Sequence, residues 1–199
     1  MNPAVASSTK SLNIIIDELG FQGSSLYLPP RYFQSPGILK VFVSKQKKSL
    51  IPSAEEIQNQ GAKIFFEYPA GLLISPPGEE LMRLFEEELR IDFSGVDIEF
   101  LKENLPGLFI EKLEISKDLR IKTEGAKVRF EIKDCAFDLA GLKPDLEGKI
   151  GSPLVSSLAC ILAKVTGKIV TIEAVTRFED ENVVAVDYRV WNEEELTLP

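Results

Sequence analysis

Histidine is missing from this chain of 199 residues. That removes the usual general base near neutral pH and the commonest metal ligand. Any catalysis would have to rest on carboxylates, lysine, tyrosine or cysteine. Cysteine is scarce as well: Cys135 and Cys160 are the only two, and they lie too far apart for a close metal-ligand spacing. No structural zinc site and no bound metal are expected, and a reduced, intracellular chain is the simplest reading. Long apolar runs are lacking too. The runs "LNIII" and "AGLLI" fall far short of the roughly 20 apolar residues that a membrane-spanning helix needs. The N-terminal "MNPAVASSTK" has no charged region followed by an apolar core, so it does not read as a signal peptide. It is small and polar and is expected to fray. Neither a glycine-rich dinucleotide loop nor a Walker-type phosphate loop occurs, so no nucleotide site and no cofactor are expected. These absences together point to a cytoplasmic protein with no integral membrane segment.

What is present suits a folded domain. The chain is 44% hydrophobic, enough for a sizeable core. Its length suits one compact domain over 1–199, within which a lobe over 1–76 and a core over 77–190 are the natural division. Charge is uneven along it. The net charge is −8, made of +2 over residues 1–76 and −10 over 77–199. An acidic C-terminal bulk argues against nucleic acid along that surface. Lys45, Lys47 and Lys48 form a small basic loop that reads as a solvated hairpin tip, with an anion or headgroup contact as the alternative.

Periodicity gives the elements. Leu12, Ile15, Ile16 and Leu19 fall at helical spacing, and Gly20 stops that helix. "ILKVFVSK" alternates like a strand, "SAEEIQNQ" is a helical turn from Ser53, and "AKIFFEYP" and "GLLIS" are two strands around Pro69–Ala70–Gly71. A longer helix follows, with Ser75 as its cap, Pro76 as its first residue and Leu81, Leu84, Phe85 and Leu89 as its stripe. Its glutamates lie mostly on the wet side, which does not suit a catalytic carboxylate pair, since such pairs need shielded and different environments. Ser94 with Asp97 spells a capping box for the next helix, which buries Ile98, Leu101 and Leu105 and ends at Pro106. A hairpin turning at Glu124–Gly125 then puts Val128, Phe130 and Ile132 on one face. Lys127, Arg129, Glu131 and Lys133 fall on the other, a face expected to stay in water. Residues 135–152 read as a loop. Another helix, capped by Ser152, started by Pro153 and ended by Gly167, precedes a last hairpin of "KIVTIEAVTRF" and "NVVAVDYRVW". Strands joined as hairpins with helices set to one side describe an α+β fold, an antiparallel sheet with helices packed on one face.

Two stretches carry candidate site residues. In "SSLYLPPRYF", Tyr27, Arg31 and Tyr32 cluster around two prolines. An arginine covered by rings could hold an acid through a forked hydrogen-bond pair. The bland reading is a crossover whose rings pin a loop to the core. In "GSPLVSSLACILAKVTGK", Leu158, Ile161, Leu162 and Val165 form a broad apolar arc, while Ser156, Ala159, Cys160 and Ala163 are small. Small residues let another backbone come close, so this helix is expected to lie between the sheet and a second helix, a subunit or a cavity. Cys160 has no base beside it in the sequence and reads as a small buried hydrophobe; a thiol facing a ligand cavity is the alternative.

From Gly151 to Val190 the order of a small-residue helix opened by Gly-x-Pro, ended by "TGK" and followed by two strands around an acidic turn resembles the end of the 4-vinyl reductase ligand-binding domain. The matching positions are Gly151, Pro153, Ala159 and Gly167. That family shares an α+β fold with nitric-oxide-sensing haem domains and with TRAPP vesicle-tethering subunits. The resemblance implies a small-molecule or lipid pocket, regulatory partners and dimerisation. It carries over no metal or haem, because residues 168–199 hold neither histidine nor cysteine.

Three readings stay open. The first is a non-catalytic cytoplasmic module that binds an apolar small molecule or a protein partner, as a homodimer, with Tyr27, Arg31, Tyr32, Ser156, Ala159 and Cys160 as its candidate contacts. The second is an enzyme using carboxylates or a Tyr/Arg pair. The third is a structural subunit of a larger assembly.

Overall fold

The computed structural model describes residues 3–35, 37–46, 51–60, 63–136 and 150–196. Among them run β1 (Ser25–Leu28), β2 (Lys40–Ser44), β3 (Phe65–Glu67), β4 (Ala70–Ile74), β5 (Asp118–Glu124), β6 (Lys127–Lys133), β7 (Ile169–Phe178) and β8 (Val183–Trp191). The helices are α1 (Pro3–Glu18), α2 (Ala54–Gln60), α3 (Glu79–Leu89), α4 (Ile98–Gly107) and α5 (Pro153–Thr166). The strands join in one antiparallel sheet in the order β3-β4-β2-β1-β7-β8-β6-β5. The fold is therefore α+β. β1 and β7 hydrogen-bond each other in the middle, through Leu26 opposite Thr171 and Tyr27 opposite Val170, so a single sheet crosses the whole molecule.

Alternation along the strands sorts side chains onto two faces. Tyr27, Val41, Val43, Leu72, Phe130 and Tyr188 join the main core with residues of α1, α3, α4 and α5. Leu26, Leu28, Phe42, Phe66 and Leu73 point the other way and form a smaller core with Tyr32 and with Ile57 of α2. The long helices thus cover one face, and the core on the other draws its sheet residues from β1–β4, with Ile169 of β7 and, at its margin, Trp191 of β8. Beyond β1 that second face is charged and knitted by ion pairs. Arg129 holds Asp187 through two bonds of 2.7 Å, Lys122 holds Glu131 at 2.7 Å and Lys127 lies 3.7 Å from Glu173.

α5 forms where the sequence places it. The Ser152 side chain accepts from the Val155 N–H, Pro153 supplies the first turn, and Gly167 ends the helix in the left-handed conformation at φ 61°. The helix is buried from Pro153 to Lys164. It is sandwiched between α3 on one side and β1, β7 and β8 on another.

Five local expectations are corrected. α1 begins at Pro3, so the segment expected to fray is helical from there on. Its inner face is Leu12, Asn13 and Ile16; Ile15 and Leu19, one row further round, are exposed. Gly20 does end it, at φ 76°, with the Phe21 N–H returning to the Ile16 carbonyl at 3.2 Å. α3 starts at Glu79, behind Gly78, because residues 76–78 make a tight turn first; the Ser75 hydroxyl instead accepts from Lys40 Nζ at 2.8 Å. Asp97, not Ser94, caps α4 by accepting from the Phe100 N–H at 2.9 Å, since Ser94 gives its N–H and hydroxyl to Asp92. Pro106 lies inside α4, and the chain continues past it as a wider π turn over Leu108–Lys112, where helical hydrogen bonding resumes. Of the expected loop over 135–152, residues 137–149 lie outside the described residues, as do Lys47 and Lys48 of the basic loop.

Candidate functional site

The six candidate residues fall on opposite faces of the sheet. Tyr27 sits on β1, whose neighbours alternate in direction, and its ring enters the main core. Its hydroxyl donates to the Ile150 carbonyl at 2.6 Å, just before α5. Tyr188 on β8 does the same one turn later, donating to the Val155 carbonyl at 2.7 Å. The start of α5 is therefore tied to the sheet by two buried phenols. Ser156, Ala159 and Cys160 are fully buried in the same region. Ser156 Oγ accepts from the Gly78 N–H at 3.1 Å, so the small face of α5 meets a second helix, α3. Of the three partners open to that face in the sequence, the structure shows the helix.

Chemically this cluster is quiet. Burial pushes the Cys160 thiol far up, and the nearby Glu79 carboxylate pushes it the same way. A thiol held protonated is a poor nucleophile. Tyr27 is raised by burial first and by Cys160 second, and Tyr188 by burial and then by Tyr27. All three groups keep their protons near neutral pH. Their hydrogen bonds fasten α5 to its surroundings.

Tyr32 and Arg31 lie across the sheet. The Pro29–Pro30 step turns the chain after β1 into one turn of 3-10 helix, Pro30–Tyr32, with the Pro30 ring at the position where no N–H is missed. That turn swings Tyr32 into the smaller core. Arg31 is exposed and not, as expected, covered from water; its guanidinium stands 5.6 Å from the centre of the Tyr32 ring. Tyr27, Arg31 and Tyr32 therefore do not converge on one cleft, because the strand alternation that buries Tyr27 on the helix side leaves the next turn on the other.

The concavity on this second face is one that the sequence reading missed. A pocket of about 500 Å³ opens beside Tyr32, between α2, the end of β4 and the segment leading into β2. Tyr32, Ile38, Ile57, Ile64, Leu73 and Ile74 give it apolar walls. Its polar lining among the described residues includes Lys40, Lys63 and Ser75 and no carboxylate. α2 is held over it by a capping box. Ser53 accepts from the Glu56 N–H at 3.2 Å, and Glu56 accepts from the Ser53 N–H at 2.7 Å. Beneath the pocket Phe42 packs edge-on against Phe66, with ring centres 5.8 Å apart. Gly71 makes room for that ring, since a Cβ there would collide with it. The pocket draws on residues from 32 to 75, spread over four segments, so no single motif announces it.

Beside the pocket, Ile64, Phe65 and Tyr68 project from the edge of the sheet, with Phe65 63% and Tyr68 69% exposed. Among the described residues no group of three or more Cys, Asp or Glu side chains is placed to hold a metal ion. No helix of the described chain is long and apolar enough to cross a membrane.

A family model described as a domain of unknown function, DUF7982, matches residues 4–190. The chain belongs to that family. Searches among curated proteins and among solved structures give no significant match.

Proposed function

We propose that this protein is a non-catalytic binding module that holds an apolar small molecule in the pocket beside Tyr32. The observation that carries the reading is the pocket itself: about 500 Å³, walled by Ile38, Ile57, Ile64, Leu73 and Ile74. Ligand sites are concave, mostly apolar and within roughly 300–1,000 Å³. The quiet chemistry of the α5 cluster supports a binding role over an enzymatic one, since its thiol and phenols are pushed away from reactive protonation states. The resemblance of residues 151–190 to the 4-vinyl reductase ligand-binding domain fits the same role. Within it, Gly151 at φ 67° and Gly167 at φ 61° are the positions where the backbone requires glycine. Cys135 and Cys160, neither in a disulfide, suit a reducing, cytoplasmic compartment.

Native mass spectrometry of the freshly purified protein tests this. A small apolar molecule carried through purification, and lost from an Ile38→Trp variant of unchanged melting temperature, is the expected result. Retention of the same molecule by that variant counts against the pocket.

A second copy of the chain is the second reading. It is favoured by the apolar residues on β3, an edge strand paired only with β4. Sedimentation velocity would then show a dimer that Phe65→Lys dissociates.

A further inference from the structure

We infer that the pocket ligand is a single-chain amphiphile with one anionic head, held at the mouth by Lys40 and Lys63. The inference rests on the pocket reading above and adds the class of molecule. Two cations border an apolar concavity whose lining, among the described residues, holds no acid. Elsewhere in this chain of net charge −8, Lys102, Lys122, Arg129 and Lys164 are matched by Glu99, Glu131, Asp187 and Glu86. Among the described residues Lys40 Nζ bonds to the neutral Ser75 hydroxyl, at 2.8 Å. Ser75 also offers a second donor to any anion that Lys40 attracts. Ile64, next to Lys63 in the chain, and Leu73 line the same pocket as these cations, so head and tail sites share one concavity. A volume near 500 Å³ suits one chain; a two-chain lipid exceeds it. The ligand chemistry is thus an anionic head on one apolar chain, and a free alkyl carboxylate is its simplest probe.

Isothermal titration with decanoate, with decanol as the neutral match and with vesicles of phosphatidylglycerol separates the outcomes. Decanoate should bind one to one and about tenfold tighter than decanol, less so at high salt. Each methylene added to the acid should tighten binding about fourfold until the pocket is full. Lys40→Met and Lys63→Met keep the apolar stems; each should weaken decanoate about five- to tenfold and leave decanol binding and the melting temperature unchanged. Equal affinity for decanol and decanoate overturns the anionic head but leaves the apolar pocket standing. Binding to neither overturns both. Binding to the vesicles without binding monomeric decanoate overturns the single-chain ligand in favour of a lipid surface.

Discussion

Lys164 Nζ of α5 lies 2.6 Å from Glu86 Oε1 of α3, and the two side chains are only 4% and 16% exposed. The same carboxylate oxygen accepts from the Phe93 N–H at 2.8 Å, so Glu86 fastens α3 to both α5 and the 93–95 turn. Removing Lys164 strands the shielded Glu86, and removing Glu86 leaves Lys164 only the exposed Asp92, 3.0 Å away, among the described acids. Lys164→Met and Glu86→Gln should each lower unfolding free energy by about 1.5–3 kcal/mol. Urea denaturation of both single variants and the double variant gives the coupling between them, expected at 1 kcal/mol or more on the order seen for contacting groups. A coupling near zero would mean that the two charges are independently solvated.

Gly78 touches α5 more closely than any side chain could allow. A Cβ added there would lie 2.5 Å from the Pro153 carbonyl oxygen and 2.6 Å from the Ser156 carbonyl carbon, both backbone atoms. Gly78→Ala must therefore push α3 off α5 and stretch the Gly78–Ser156 hydrogen bond. The expected loss is about 2–3 kcal/mol, in the range of overpacked cores. Gly95→Ala, where nothing lies within 4 Å of the new carbon, is the matched control and should change stability little. Equal melting temperatures for the two variants would refute this close approach.

Acid should loosen the 92–94 corner. The Ser94 hydroxyl and N–H, and behind them Lys164, hold the Asp92 carboxyl down from 3.8 to about 2. A depressed carboxyl stabilises the fold above its ordinary range and loses that contribution as pH falls from about 4 through 2. Asp92 is 65% exposed, so solvent screens the effect to less than about 1 kcal/mol. Asp92→Asn should lower stability slightly at pH 6 and flatten its decline between pH 4 and 2, followed by thermal melts across that window. An unchanged acid limb would show that the corner contributes nothing.

The hairpins and α5 were readable because their signals are local. Val128, Phe130 and Ile132 alternate against wet neighbours, and Ser152, Pro153 and Gly167 each do what their backbone chemistry favours. The errors arise where tertiary contact overrides local preference. The α1 stripe was misplaced because Asn13, a polar residue, faces inward, buried with no hydrogen-bond partner for its side chain among the described residues. α3 was started too early because Ser75 looks like a cap but serves Lys40, while Gly78, a weak local signal, is needed against the α5 backbone. The helix-side candidates Tyr27, Ser156, Ala159 and Cys160 do meet, but as a packed joint. The pocket escaped notice because Ile38, Ile57, Ile64 and Leu73 belong to segments with no common period, and each alone reads as ordinary core.

The meeting of β1 and β7 has a mechanical consequence. Only two residue pairs join them, against four between β1 and β2 and seven between β6 and β8. The sheet is two four-stranded plates joined by a short weld, with the Tyr27–Ile150 bond acting as an outside bracket. A load drawn between residues of β4 and β6 passes through those two pairs and through α5, which packs on β1, β7 and β8 together. The plates would part there first, each keeping its own hairpins, with the pocket carried whole on one of them.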